Sequence, residues 1–171
     1  TGINNVLLSS RAGDALTEGG NNIAIGDSAL SSDTLGSKSV AIGDSALYNQ
    51  NFTTATDSLN TAVGHEAGNL VTTAVQNTLV GGLAGDALTT GGENVAIGVL
   101  ALSTEDTGRK NVAIGTQALM VQNSDADNYN TAVGYLAAKS VTTGIQNTLI
   151  GALAGDALTD ADYNVAVGVT A

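Results

Sequence analysis

Cysteine, proline and tryptophan are absent from this chain of 171 residues, which has only one Phe and four Tyr. Without cysteine, disulfides and thiolate metal sites are excluded. A globular core normally relies on large side chains for buried area; here Ala, Val, Ile and Leu have to do so in short pieces. Positive charge is scarce as well. Arg11, Lys38, Arg109, Lys110 and Lys139 stand against sixteen acidic residues, for a net charge of −11. A phosphate-binding surface needs clustered Lys and Arg, so nucleic acid is not an expected partner. The acidity suits a long, edge-rich object that has to stay soluble. No apolar run approaches the ~20 residues of a membrane helix, so no membrane insertion is expected in this segment, and no signal peptide is recognisable.

What is abundant is glycine, 22 residues of it, set among Asn, Ser, Thr and Asp in a composition of turns and polar surface. The order is strict. Asn94-Val95-Ala96-Ile97-Gly98 recurs along the whole chain, its last residue returning as Ser9, Gly26, Gly43, Gly64, Gly81, Gly98, Gly115, Gly134, Gly151 and Gly168. The steps are 17 residues except from Gly43 to Gly64, which is 21, and from Gly115 to Gly134, which is 19. Four residues earlier stand Asn5, Asn22, Ser39, Asn60, Asn77, Asn94, Asn111, Asn130, Asn147 and Asn164; three residues later there is always an alanine. A fixed short period of this kind denotes a repeat architecture.

Seventeen residues are too few for the helical repeats, and no 3.6-residue periodicity is sustained. The expected fold is all-β: a parallel β-solenoid of about ten 17-residue rungs, one repeat domain over residues 1–171. Rungs about 4.8 Å apart would make a rod roughly 48 Å long. The residue before each corner is Leu8, Ile25, Ile42, Val63, Val80, Ile97, Ile114, Val133, Ile150 or Val167. Such branched aliphatic side chains suit a pleated surface, and this column is expected to form the core. The corner glycine is expected at positive φ or where another backbone comes close. The Asn column is expected to be a structural ladder, its side-chain amides bonding from rung to rung.

A longer period overlies the first. Ala12-Gly13-Asp14-Ala15-Leu16-Thr17 returns at Ala84 to Thr89 and at Ala154 to Thr159, so four rungs form a block of 72 or 70 residues. The extra residues fall between the third and fourth rungs of each block, at Tyr48 to Leu59 and Met120 to Tyr129. The chain starts and stops in mid-motif and is expected to be a piece of a longer fibrous protein.

Asn94-Val95-Ala96-Ile97-Gly98, Lys38-Ser39-Val40-Ala41-Ile42-Gly43 and Asn111-Val112-Ala113-Ile114-Gly115 resemble the head repeats of YadA-like trimeric autotransporter adhesins. Asn60-Thr61-Ala62-Val63-Gly64 and Asn130-Thr131-Ala132-Val133-Gly134 look like repeats of tailed-phage fibre and appendage proteins. The similarity spans the chain. It implies a left-handed parallel β-roll, three chains side by side as a homotrimer, in an extracellular setting on a virion or a bacterial cell surface. The unit here is longer than the adhesin's, so the coil has to carry a larger outward turn. Association is expected on physical grounds too, because so thin a coil with Ala and Gly at fixed places buries little apolar area by itself.

Signals for catalysis are sparse, and no enzyme is expected. His65, the one histidine, occupies a variable place just past a corner glycine and reads as surface. Asp57, Glu66, Glu105, Asp106, Asp125 and Asp127 could serve glycoside hydrolysis only by residue type. Ser124-Asp125-Ala126-Asp127-Asn128 and Asp160-Ala161-Asp162 alternate oxygen ligands in a way that hints at calcium, but lack the Gly and distal Glu of an EF-hand loop. No cofactor is expected. Tyr48, Phe52 and Tyr129 lie in or beside the two long insertions. Aromatics on loops of a rigid scaffold are typical of recognition surfaces, sugar-stacking ones included; the alternative is that they fold back over the solenoid flank. Ice binding would need an unbroken outward Thr column, and Thr61, Thr78, Thr131 and Thr148 alternate in pairs with Val or Ile.

These observations point to a structural and adhesive module of a trimeric fibre, a phage tail fibre or a bacterial adhesin, contacting a host-surface glycan or protein through its loops. A spacer without ligand is the alternative, ahead of an ice-binding solenoid or a polysaccharide-degrading tailspike.

Overall fold

Each rung spends only three residues on strand before its corner residue turns the chain. The computed structural model describes residues 2–171. Its strands are β1 (Val6–Leu8), β2 (Ile23–Ile25), β3 (Gly36–Ser37), β4 (Val40–Ile42), β5 (Thr56–Asp57), β6 (Thr61–Val63), β7 (Thr78–Val80), β8 (Val95–Ile97), β9 (Val112–Ile114), β10 (Thr131–Val133), β11 (Thr148–Ile150) and β12 (Val165–Val167). Ten of them form one parallel sheet in the order β1-β2-β4-β6-β7-β8-β9-β10-β11-β12. The register pairs the same repeat positions everywhere: Val95 with Val112, and, across the insertions, Val40 with Thr61 and Val112 with Thr131. The protein is thus a ten-rung parallel β-solenoid, with no helix among the described residues. Positions below are counted from the corner residue of each rung, Gly98 being position 0 of the sixth.

Closing a coil in 17 residues takes four left-handed turns of backbone. In the sixth rung these are Glu93 (φ 61°), Gly98 (φ 136°), Leu100 (φ 57°) and Leu102 (φ 53°), and the other rungs repeat them. A non-glycine residue in this region is disfavoured by about 1 kcal/mol or more. Backbone bonding to both neighbours offsets this. Val95 N–H donates to Asn111 O and Leu102 N–H to Ala118 O in the next rung, while Gly98 N–H donates to Val80 O and Leu100 N–H to Gly82 O in the previous one. At the sixth corner glycine meets both demands, since a Cβ on Gly98 would also run into the carbonyl group of Gly115.

The interior is built from other columns than the β-branched one. The middle strand residue points inward, and Ala24, Ala41, Ala62, Leu79, Ala96, Ala113, Ala132 and Leu149 are fully buried. So are the alanines at position +3 from Ala29 to Ala154. The expectation that Ile25, Ile42, Val63, Val80, Ile97, Ile114, Val133 and Ile150 form the core is corrected: they point outward and are partly exposed, Ile97 by 37% and Ile150 by 38%. Alternation along a strand puts neighbours on opposite faces, and a coil this thin has room for small side chains on the inner one.

That room holds one large aliphatic among positions −2 and +4 of most rungs. Leu at −2 goes with Gly at +4 (Leu7 with Gly13, Leu79 with Gly85, Leu149 with Gly155), and Ala at −2 goes with Leu at +4 (Ala24 with Leu30, Ala41 with Leu47, Ala96 with Leu102, Ala113 with Leu119). The exclusion is steric. A Cβ on Gly85 would stand 2.8 Å from both Leu79 Cδ2 and Leu88 Cδ1, and one on Gly155 would stand 2.7 Å from Leu149 Cδ1. Each buried Leu contributes about 2 kcal/mol of hydrophobic stabilisation.

Candidate functional site

Three surfaces or clusters carry the chemistry of this molecule. The first is the outward sheet face. Positions −3 and −1 of the ten strands hold Val, Ile or Leu at every place except Thr61, Thr78, Thr131 and Thr148, and no charge interrupts them. In a chain with 12% charged residues this makes a continuous apolar strip. It runs about 48 Å along the rod and about 7 Å across.

The second is a flank carrying aromatic side chains at position −5, where Lys110, Tyr129, Gln146 and Tyr163 succeed one another on adjacent rungs. Tyr129 is 49% and Tyr163 70% exposed, and Gln146 between them is exposed as well. Lys110 Nζ sits 5.1 Å from the Tyr129 ring centroid, in the range of a cation–π contact, and donates to Asp127 Oδ2 at 2.6 Å. Hydrogen bonds to Asp127 and then Tyr129 hold the Lys110 ammonium well above its usual pKa; Lys110 in turn holds the Asp127 carboxyl below the usual carboxylate range. Tyr48 is exposed at position +5, on a different column, and is not brought together with Tyr129. Phe52 follows the fold-back reading and not the recognition one. It is 5% exposed, folded back on the flank, with its N–H donating to Asp33 Oδ1 and its carbonyl accepting from Thr34 Oγ1. The insertions are anchored rather than free: β5 pairs with β3 in the first, and Arg109 bridges to Asp127 in the second.

The third is interior. Position +7 reads Leu16, Asp33, Gln50, Val71, Leu88, Glu105, Gln122, Val141, Leu158. Each block thus buries an acid and an amide at a place where its other two rungs bury aliphatics. In the first block Gln50 Nε2 donates to Asp33 Oδ2 (2.7 Å) and Ser39 Oγ (2.8 Å), Asn60 Nδ2 donates to Gln50 Oε1 (2.8 Å), and Ser39 and Ser58 hydroxyls bond each other. In the second, Glu105 Oε1 accepts from Gly108 N–H at 2.8 Å and Oε2 from Asn128 Nδ2 at 2.9 Å, while Asn130 Nδ2 donates to Gln122 Oε1 at 2.8 Å. Burial pushes the Glu105 carboxyl up, opposed by the backbone N–H groups of Gly108 and Ser124 and reinforced by the Asp106 charge. Sequence reasoning passed over Asp33, Gln50 and Gln122, met Asn128 only at the end of a possible calcium stretch, and met Glu105 only as an acid by type. The signal was there: a polar residue at a repeat position otherwise occupied by Leu or Val faces inward.

The asparagine ladder bonds amide to amide at its end, where Asn147 Nδ2 donates to Asn130 Oδ1 at 3.2 Å and Asn164 Nδ2 to Asn147 Oδ1 at 2.9 Å, and elsewhere runs through the backbone. Each Oδ1 accepts the backbone N–H of the next ladder residue: Asn22 from Ser39, Asn60 from Asn77, Asn77 from Asn94, Asn94 from Asn111, Asn111 from Asn130 and Asn147 from Asn164. Each Nδ2 in a regular rung reaches a carbonyl fourteen residues on, as Asn77 does to Gly91 and Asn147 to Ala161.

The remaining acidic candidates are dispersed. Asp57 pairs with Lys38 at 2.6 Å, Asp125 accepts from Thr107 Oγ1 at 2.6 Å, and Asp127 is held by Lys110. Glu105 faces the interior. Asp162 accepts from Ile145 N–H, while Asp160 bonds Thr159 on its own loop. His65 is exposed, 3.7 Å from Asp44 and 3.9 Å from Glu66. No three His, Asp or Glu side chains converge as metal ligands among the described residues. A cavity of about 400 Å³ lies where the interior of the tenth rung opens, between Leu158, Asn164, Ala166 and Ala171. Compared with known protein families, characterised proteins and solved structures, the chain matches none.

Proposed function

We propose that this chain is a structural and adhesive rod, assembled from three copies that cover one another's outward sheet faces. The observation carrying the reading is the uncharged strip at positions −3 and −1, which Ile97 and Ile150 expose to solvent by more than a third. At about 48 by 7 Å, roughly 340 Å², the strip matches the largest apolar patches of soluble proteins, which are often functional interaction sites. Its natural cover is another copy, because only a surface with the same spacing of about 4.8 Å can match it rung for rung. The number three comes from the resemblance of the repeats to trimeric adhesin heads and phage fibres, as does the setting on a virion or bacterial surface. Function is then mechanical: stacked rungs give stiffness, and threefold presentation of weak contacts gives avidity.

The chain has no cysteine, so site-specific crosslinking tests the packing without background. Ile97→Cys should form interchain bonds on oxidation, and Thr104→Cys, on an exposed turn, should not. Equal crosslinking at both places would contradict the assembly.

A second element of the reading is attachment through the flank. Tyr129 and Tyr163 stand two rungs apart in one column with Gln146 between. At about 9.6 Å apart, two exposed aromatic faces separated by an amide suit stacking and hydrogen bonding to an extended glycan. Binding of the rod to an array of oligosaccharides, lost on Tyr129→Ala together with Tyr163→Ala, is the test; binding retained by the variant would contradict attachment through this flank, and no binding by the parent would leave a spacer without ligand.

A further inference from the structure

We infer that the seventh rung encloses a specific site for one water molecule, held by Asn111, Gln122 and Asn128. All three side chains are fully buried. Asn111 Nδ2, Gln122 Nε2 and Asn128 Oδ1 have no hydrogen-bond partner, although each side chain's other polar atom is bonded. Leaving such an atom unpaired in the interior costs about 1–3 kcal/mol, so each of the three calls for a partner.

The first block shows that these positions meet. Its counterparts are Ser39, Gln50 and Ser58, at the same places relative to Gly43 and Gly64, and they form a closed cluster. The backbone frame is the same in both blocks: Ser58 N–H donates to Ser37 O at 2.9 Å and Asn128 N–H to Arg109 O at 2.9 Å, while Gln50 and Gln122 N–H donate to Leu47 and Leu119 O at 3.2 Å. Asn111 and Gln122 also share a partner, since Asn130 donates its backbone N–H to one and its Nδ2 to the other. The cause of the opening is the insertion from Met120 to Tyr129. It displaces the carbonyl that every regular ladder amide reaches fourteen residues on, so Asn111 Nδ2 loses its acceptor; Ser39, in the first block, has no amide to satisfy.

Turning the amides does not close the site. A reversed Gln122 would point its nitrogen at Asn130 Nδ2, and a reversed Asn128 would set oxygen against Glu105 Oε2. A reversed Asn111 would offer NH₂ to the Asn130 N–H. The unmet demand is two donors and one acceptor. A cation would be repelled by the two N–H groups, and an anion by Asn128 Oδ1 with the Glu105 carboxylate behind it. Water accepts two bonds and donates one, within the two to four partners typical of buried water. It carries the ladder past the insertion.

A high-resolution crystal structure of the protein is the direct test. One ordered water within hydrogen-bond distance of Asn111 Nδ2, Gln122 Nε2 and Asn128 Oδ1 is expected. Direct amide-to-amide bonding without density between, or density for a halide, would overturn the site. In solution, ¹⁷O magnetic relaxation dispersion counts long-lived internal waters. The variant Glu105→Asp, Asn111→Ser, Asn128→Ser installs the first block's closed cluster and should lose one long-lived water per chain; an unchanged count in the folded variant would contradict the proposal. Should that variant not fold, the crystal structure of the parent still decides.

Discussion

Asn94 Oδ1 accepts the backbone N–H of Asn111 at 2.9 Å, joining two rungs through a side chain that is itself fully buried. The same amide donates to Gly108 O at 3.0 Å. One side chain thereby satisfies a donor on the next rung and an acceptor on its own coil. Replacing Asn94 with Ala strands both, and the loss is expected at about 3 kcal/mol. Asn164→Ala, on the part-exposed last rung, should cost under about 1 kcal/mol. Denaturant titration of the two variants checks this; equal losses would mean that the ladder is not what joins the rungs.

The pairing of large and small residues inside each coil makes a coupling prediction. Leu79→Ala alone opens a cavity and should cost about 3 kcal/mol, and Gly85→Leu alone overpacks against Leu79 and Leu88 by about 2 kcal/mol or more. Together they convert the fifth rung to the Ala and Leu arrangement of the second. The double variant should be more stable than the sum of the singles by about 2 kcal/mol in a double-mutant cycle. Simple additivity would show that positions −2 and +4 do not share space.

Glu105 predicts a pH dependence. Its carboxyl titrates above the ordinary value of 4.5 because it is buried. From there up to its native pKa the folded protein holds a proton that the unfolded chain has released, so stability falls as pH rises through that window. Glu105→Gln removes this slope, since its amide can donate to Asn128 Oδ1 once that side chain turns. Melting temperatures of the two proteins should diverge in favour of the variant as pH rises above the ordinary value of 4.5. Parallel curves would contradict the assignment.

The aromatics separate into two kinds. Phe52→Ala removes a buried ring and should destabilise by about 3 kcal/mol, measured by denaturant titration. Tyr48→Ala and Tyr129→Ala remove exposed rings and should leave stability within about 0.5 kcal/mol. Host-surface attachment is expected to weaken for Tyr129→Ala while melting stays unchanged. Weakened attachment only where melting also falls would remove the binding role.

The register was legible in the sequence because the period is strict: Asn94 over Asn111 and Gly98 over Gly115 follow from counting alone. The inward and outward sides were not. Ile97 looked like core because it is the larger neighbour of Ala96, yet the interior of a 17-residue coil is too narrow for it beside Leu102. The ladder was recognised, but its amide–amide wiring holds only at Asn147 and Asn164, because an Asn column is equally compatible with amide–amide and amide–backbone bonding. The buried acids Asp33 and Glu105 hid inside stretches that read as polar turn, and only alignment at position +7 with Leu88 and Val71 reveals them. Phe52 and Tyr129 could not be told apart in the sequence, because insertion length says nothing about which aromatic folds back and which stays exposed.

The covering of the outward strip by further copies is tested most directly by solution mass. Light scattering of the chain and of its Ile97→Asp, Ile114→Asp variant, with circular dichroism of both, is the measurement. The account predicts three times 16.8 kDa for the parent and a lower mass for the variant, whose charges interrupt the strip. A parent that is monomeric, folded and strand-rich would contradict it.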